Sequence, residues 1–208
     1  MARYTGPVCR LCRRVGEKLM LKGERCASPK CAMERRPTLP GKRPARPRRP
    51  SDYALRLREK QKARYSYGVL ERQFYGLFIK AKKSPGLTGD NLRQLLERRL
   101  DNTVYCLCFA DSRSQARQLV CHGHISVNGR KVDIPSFLVK PGDVIAWREK
   151  SLKKEPYKMA LERVDSRTIP SWLSLDKNNL SGKILTLPVV EEITAKFDGK
   201  MLVEYYSR

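Results

Sequence analysis

The sequence predicts an α+β fold, with a metal-binding knuckle at the N-terminus, a helical domain, and helices packed on a small antiparallel sheet. Three observations lead there. Four cysteines crowd into the first 31 residues, apolar residues recur at helical spacing through residues 51–100, and two strand–turn–strand patterns follow between 125 and 147.

Cys9, Cys12, Cys26 and Cys31 are spaced C-x2-C-x13-C-x4-C. Two close pairs across a short loop let four thiolates converge on one tetrahedral ion. So few apolar residues surround them that burial alone cannot fold the segment, and a metal supplies the missing free energy. Zinc is the default for four sulfurs, and a closed four-ligand site is structural rather than catalytic. An iron–sulfur cluster is the runner-up, and four free thiols the plainest alternative. Arg10, Arg13, Arg14, Lys22, Arg25 and Lys30 are interleaved with the cysteines. Arginine grips phosphate oxygens through two parallel hydrogen bonds, so such a knuckle suits phosphate contacts. The spacing does not match a finger with two Cys and two His that enters the DNA major groove.

Residues 37–50, PTLPGKRPARPRRP, carry five prolines and five basic residues and form an extended basic linker. Ser51 is a good N-cap for a helix that Gly68 stops. A second helix runs through ERQFYGLFIKAKK, with Phe74, Leu77, Phe78 and Ala81 as one apolar stripe. Pro85 and Gly86 break it, and Thr88 caps a third helix whose inner face is Leu92, Leu95, Leu96 and Leu100. Ser112 and Gln115 form a capping-box pattern opening a helix that buries Ala116, Leu119 and Val120 and ends at Gly123. Asn128-Gly129 marks a two-residue hairpin. Phe137–Val139 and Val144–Trp147 around Pro141-Gly142-Asp143 predict a second strand pair, followed by a polar helix over about 150–164. Further strands are expected at Trp172–Leu175 and Lys183–Leu187. Periodicity leaves the tail MLVEYYSR open between strand and helix.

The 208 residues carry 44 Lys and Arg against 21 Asp and Glu, a formal net charge of +23. Residues 1–65 hold 20 basic and 5 acidic side chains. Such an excess repels itself in a compact state unless a polyanion answers it. No stretch is apolar for the roughly 20 residues of a membrane span, and no N-terminal apolar core resembles a signal peptide. A cytosolic chain with a nucleic-acid partner, no membrane and no small-molecule substrate is therefore expected. Seven cysteines, an odd number, argue against a disulfide framework.

Several segments together resemble bacterial small-subunit ribosomal protein four in its zinc-binding, four-cysteine form. They are RYTGPVCRLCRR, RRPSDYALRLREKQKAR, YGVLERQF, LLERRLDN, SRSQARQLVCHGHISVNGRKVDIPS with the downstream VKPGD, and the terminal VEYYSR. The likeness covers essentially the whole chain. Arg99 to Trp147 also resembles an RNA-binding module shared with some pseudouridine synthases and tyrosyl-tRNA synthetases. The resemblance implies an inserted RNA-binding module of helices packed on an antiparallel sheet. The domains expected are 1–45 (zinc knuckle and linker), 46–97 completed by a helical tail at about 196–208, and 98–195 (the module).

The resemblance also implies function: a non-enzymatic constituent of the small ribosomal subunit that binds 16S ribosomal RNA and nucleates assembly. It implies a place near the mRNA entrance, beside ribosomal proteins three and five, with an influence on accuracy through protein five. Carried over residue by residue, RNA contacts fall on Arg113, Gln115, Arg117, His122, His124, Asn128, Arg130 and Lys131 in the module. In the helical domain they fall on Ser51, Tyr53, Arg56, Arg58, Lys60, Lys62, Arg64 and Arg72. In the N-terminal segment and linker, contacts are expected at Arg3, Arg10, Arg13, Arg14, Lys22, Arg25, Arg35, Arg36, Lys42, Arg43, Arg46, Arg48 and Arg49. Tyr53 suits either base stacking or helix packing.

The chain departs from the family where it has Cys106, Cys108 and Cys121; the family typically has Arg, Gly and often Arg there. With His122 these cysteines raise the idea of a second metal site, against the simpler reading of small tolerated side chains. An enzyme is disfavoured, since no nucleophile–base pair or phosphate-binding glycine loop is evident. A DNA-binding zinc regulator accounts for charge and cysteines but not for the module. A free RNA-binding translational regulator is the remaining alternative.

Overall fold

The computed structural model describes residues 3–41, 49–164, 168–193 and 197–207. The chain divides into two units, one comprising Met1–Arg93 with Thr194–Arg208, the other Gln94–Ile193.

In the first unit, α1 (Cys9–Val15), α2 (Glu24–Ala27) and α3 (Ala32–Arg35) are short. They gather around Cys12, Val15 and Leu19, with Leu21, Met33 and Tyr65 packed on this cluster. Tyr65 belongs to α4 (Asp52–Ser66), so the N-terminal segment rests on that helix. The Ala54 amide donates to Ser51 Oγ (3.3 Å), the cap expected from sequence, and Gly68 ends the helix at φ +61°. Helix α5 (Glu71–Lys83) buries Phe74, Leu77, Phe78 and Ala81, as its apolar stripe requires. Helix α6 (Thr88–Glu97) begins one residue before its expected start, because the Asp90 and Asn91 amides both donate to the Leu87 carbonyl (3.1 and 3.0 Å).

The tail is a helix, α11 (Gly199–Tyr206), packed on α4. Asp198 Oδ1 accepts from the amides of Lys200 and Met201 (2.8 and 3.3 Å) and so caps it. The Tyr206 ring lies 4.6 Å from that of Phe78, and its hydroxyl donates to Glu71 Oε1 (2.7 Å). Gly89 of α6 and Gly199 of α11 meet backbone to backbone: a Cβ on Gly89 would stand 3.1 Å from the Gly199 Cα. Residues 110 positions apart make that contact, so no local pattern marks it.

Helix α6 does not run on to Leu100 as expected. Arg99 is extended (φ −69°, ψ 136°) and bridges Leu138. The Leu100 amide donates to the Phe137 carbonyl (2.8 Å) and the Val139 amide to the Arg98 carbonyl (2.9 Å). Residues 137–139 therefore pair with this helix break and not with the strand after Pro141-Gly142, which corrects the expected second hairpin. Backbone groups that leave a helix ladder need other partners, and the 137–139 segment supplies them.

In the second unit, α7 (Leu100–Cys106) and α8 (Arg113–Cys121) pack on each other. Ser112 Oγ accepts from the Gln115 amide (3.3 Å). Gln115 Oε1 reaches back to the Asp111 amide (2.9 Å), one residue earlier than in the usual capping box. The sheet has order β2-β1-β3-β5-β4 and is antiparallel throughout. Its strands are β1 (Ile125–Val127), β2 (Arg130–Lys131), β3 (Val144–Trp147), β4 (Leu173–Asp176) and β5 (Ser181–Ile184). Asn128 and Gly129, at φ +50° and +77°, make the turn that the Asn-Gly pair predicts. The core joins Leu100, Val104, Leu107 and Phe109 to Leu119, Val120, Ile125, Ile145, Trp147 and Ile184. The polar helix expected over 150–164 is two helices, α9 (Glu149–Leu152) and α10 (Glu155–Arg163), joined at an elbow of Lys153 and Lys154. Strand β5 ends at Ile184, three residues short of its expected end, where the Leu185 amide turns to the Trp172 carbonyl (2.9 Å). Among the described residues, no helix is long and apolar enough to cross a membrane.

Candidate nucleic-acid interface

The four N-terminal cysteines come from three elements. Cys9 and Cys12 lie on α1, Cys26 lies on α2, and Cys31 precedes α3. The Lys22 amide donates to Cys26 Sγ (3.3 Å), and the Leu19 amide hydrogen-bonds the Cys12 sulfur. Burial pushes the Cys12 thiol up, and the charges of Cys26, Cys9 and Cys31 add to that push, so these sulfurs share one neighbourhood. Amide donors aimed at sulfur stabilise thiolate ligands, and four cysteines are a donor set that zinc accepts. Among the described residues, however, no group of three or more His, Cys, Asp or Glu side chains is arranged to hold a metal ion. The three remaining cysteines fare no better as a cluster, since Cys106 and Cys108 are buried while Cys121 and His122 are exposed. Burial, with the Glu97 carboxylate adding to it, raises the Cys106 thiol far above its ordinary range.

Most of the expected RNA-contacting cations reach the surface. In the first unit, Arg3, Arg10, Arg14, Lys22, Arg25, Arg35, Arg36, Arg49, Arg58 and Arg72 are exposed, as are Ser51 and Tyr53. Arg13, Arg56, Lys62 and Arg64 are half-buried. Arg56 pairs with Glu204 (2.8 Å), Lys62 with Glu17 (2.7 Å) and Arg64 with Glu71 (3.3 Å). The Tyr53 ring lies 5.7 Å from that of Tyr205, so it packs on α11 while remaining exposed. Lys42, Arg43, Arg46 and Arg48 fall outside the described residues.

In the second unit, His122, Asn128, Arg130 and Lys131 are exposed around the end of α8 and the hairpin. Lys131 pairs with Asp133 (3.1 Å). Asn128 braces the turn: its amide nitrogen donates to Asp143 Oδ1 (2.9 Å) and its Oδ1 accepts from the Val144 amide (2.8 Å). Arg113 lies over the Tyr105 ring, 4.7 Å from its centroid, and donates through Nε to Asn102 Oδ1 (2.7 Å). Gln115 is half-buried in its capping role.

Three expected contact residues are buried instead. Lys60 is 3% exposed and pairs with Glu71 (2.7 Å) beneath Tyr205. Arg117 is 6% exposed and faces Asp101 (3.5 Å), which already holds Arg99. His124 packs near Trp147, with Nδ1 2.9 Å from Ser151 Oγ. Burial lowers its pKa, and the charges of Lys154, His122 and Arg148 lower it further. In each case a basic residue at the expected helical or hairpin position turns inward, toward a carboxylate or the sheet. Helical spacing alone does not separate such a position from an exposed one.

Sequence reasoning also passed over a second basic surface. Arg148 is half-buried, and Lys150, Lys153, Lys154 and Lys158 are exposed on α9, the elbow and α10. The run REKSLKKEPYK is the available signal, which by its local pattern reads only as a polar helix.

Comparison with known proteins agrees with this basic, two-unit arrangement. The family described as Ribosomal protein S4/S9 N-terminal domain matches residues 3–97, and the S4 domain family matches residues 98–145. The chain is 58% identical over 209 residues to small ribosomal subunit protein uS4 of Thermus thermophilus, covering 100% of both chains. It is 56% identical to small ribosomal subunit protein uS4A of Symbiobacterium thermophilum and 53% identical to uS4 of Dehalococcoides mccartyi, again across 100% of each chain.

Proposed function

The chain belongs to the family of small ribosomal subunit protein uS4, and from that premise we propose that it is a structural, non-enzymatic constituent of the cytoplasmic small ribosomal subunit, bound directly to 16S ribosomal RNA. The observation that carries this reading is the end-to-end identity with the Thermus relative. The exposed cations of both units support it physically. Phosphate contacts position a protein on RNA through Lys and Arg, without any need for a catalytic constellation. His122, Arg130 and Lys131 flank a tight turn and the C-terminal end of α8, where their side chains are exposed.

The four N-terminal cysteines hold one structural zinc ion in this reading. Cys9, Cys12, Cys26 and Cys31 are its ligands, and the ion closes a segment whose own apolar cluster is small. A zinc-stiffened segment then keeps Arg10, Arg14, Lys22 and Arg25 in fixed positions toward the phosphates. Within the subunit, the protein nucleates assembly of the body, lies near the mRNA entrance beside ribosomal proteins three and five, and influences accuracy through protein five.

The test is fractionation of native lysate on a sucrose gradient, with the protein located by mass spectrometry. Co-migration with small subunits through a high-salt wash is expected. Recovery only among free proteins would overturn the ribosomal reading.

A further inference from the structure

Arg13, Arg25, Lys30, Arg35 and Arg36, together with Ala32, line one hollow of about 380 Å³. The five cations come from α1, α2, the loop after it, and the end of α3, so separate stretches of backbone bring like charges to one volume. None of the five is ion-paired among the described residues, and two carboxylates of the same segment are engaged elsewhere. Glu34 pairs with Lys18, and Glu17 with Lys62 (2.7 Å). Arg13 is held in place by its own bond, Nε donating to the Thr38 carbonyl (2.8 Å).

Five unanswered charges around a hollow repel one another, and a tetrahedral oxyanion relieves that repulsion while accepting from the guanidinium forks. The hollow is larger than one phosphate fills, which leaves room for two ester oxygens to lead a chain in and out. From this geometry we infer that the hollow is a phosphate site that grips one backbone phosphate of RNA as a fixed anchor. The inference rests on the reading of this chain as a ribosomal RNA binder and makes that reading local. Cations spread over a surface neutralise many phosphates loosely, whereas this hollow selects one.

The experiment uses the full chain, loaded with zinc, in two arms. The first titrates inorganic phosphate at constant ionic strength and follows arginine Nε–H resonances by NMR. Saturable shifts confined to Arg13, Arg25, Arg35 and Arg36 are expected, absent in an Arg25→Gln/Arg35→Gln variant and kept in an Arg130→Gln/Lys131→Gln variant. Small, non-saturating shifts spread over all arginines would overturn the site. Retained metal content and unmoved resonances of residues 94–193 show that the variants are folded. The second arm measures binding to a 16S ribosomal RNA fragment against salt. The Arg25→Gln/Arg35→Gln variant should lose about 1–2 from the slope of log affinity against log salt. An unchanged slope alongside saturable phosphate shifts would mean a site for free phosphate and would overturn the RNA anchor. A wild-type chain that binds no ribosomal RNA would sink the ribosomal reading and the anchor with it, whereas a failed first arm removes the hollow alone.

Discussion

Arg99 and Asp101 face each other across a two-point ion pair, Nε to Oδ1 at 3.0 Å and Nη2 to Oδ2 at 2.8 Å, and both are buried. The same carboxylate stands 3.5 Å from Arg117 Nη1, and its Oδ1 also accepts from the Asn102 amide (3.0 Å). One acid thus answers two guanidinium groups at the break between α6 and α7. Asp101→Ala leaves both charges without it, and a broken buried pair costs about 3–5 kcal/mol. Urea unfolding should show that loss; a change near zero would mean that water replaces the carboxylate.

Gly89→Ala and Gly199→Ala should each destabilise the first unit by about 1–3 kcal/mol, because the new methyl meets backbone that cannot swing aside. Gly76, exposed on α5, is the control. An added Cβ there meets nothing within 4 Å, and Gly76→Ala should stabilise by about 0.5–1 kcal/mol. Thermal unfolding of the three variants checks the opposite signs.

Metal analysis of purified chain should find about one zinc per molecule, as a closed four-thiolate site holds. The variant with Cys9, Cys12, Cys26 and Cys31 all changed to Ser should hold none, and the Cys106→Ser/Cys108→Ser/Cys121→Ser variant should keep its metal. Iron with visible absorbance would replace zinc by a cluster. Chelation should loosen the Cys12–Val15–Leu19 cluster while leaving the core of the second unit intact.

His124 makes stability fall in mild acid. Burial lowers its folded pKa below the unfolded value, and Lys154, His122 and Arg148 press it the same way. Protonation therefore favours the unfolded chain, so stability is full above an unfolded pKa of about 6.5 and declines as pH drops through the folded value. Unfolding free energy measured across that window should have a flatter pH slope in His124→Gln than in the wild type.

RNA affinity should separate exposed from buried cations. Arg130→Ala/Lys131→Ala should lower affinity and reduce the salt slope by about 1–2 with little change in stability. Lys60→Ala removes a buried partner of Glu71 and should act chiefly on stability. A Lys60→Ala chain of undiminished stability with a shallower salt slope would reverse this division.

Local signals in the sequence carried far. The Ser51 and Ser112 caps, the α5 stripe and the Asn128-Gly129 turn all follow from hydrogen bonds or contacts made within a few residues. The break at Arg98-Arg99 does not, because its partners lie at residues 137–139 and no proline or glycine marks it. Cys108 illustrates the middle ground. The family resemblance puts glycine there, and the structure gives the reason, a φ of +63° that a side chain adopts at a cost. The inward turn of Lys60, Arg117 and His124 was hidden because it depends on Glu71, Asp101 and Ser151, which no short-range pattern links to them.

Residues 197–207 return to the unit that residues 3–93 began, after the whole of the second unit has intervened. During synthesis at about 5–20 residues per second, the hundred residues between them take roughly 5–20 s to emerge. Through that interval Phe78 and Glu71 wait without Tyr206, and Gly89 without Gly199. The inserted unit is therefore free to fold first, although its own residues come second in the chain. A nascent chain halted before α11 has every residue of the second unit but a first unit that still lacks its closing helix. Until α11 arrives, the aromatic face of α5 at Phe74 and Phe78 goes without the Tyr206 ring that packs on it.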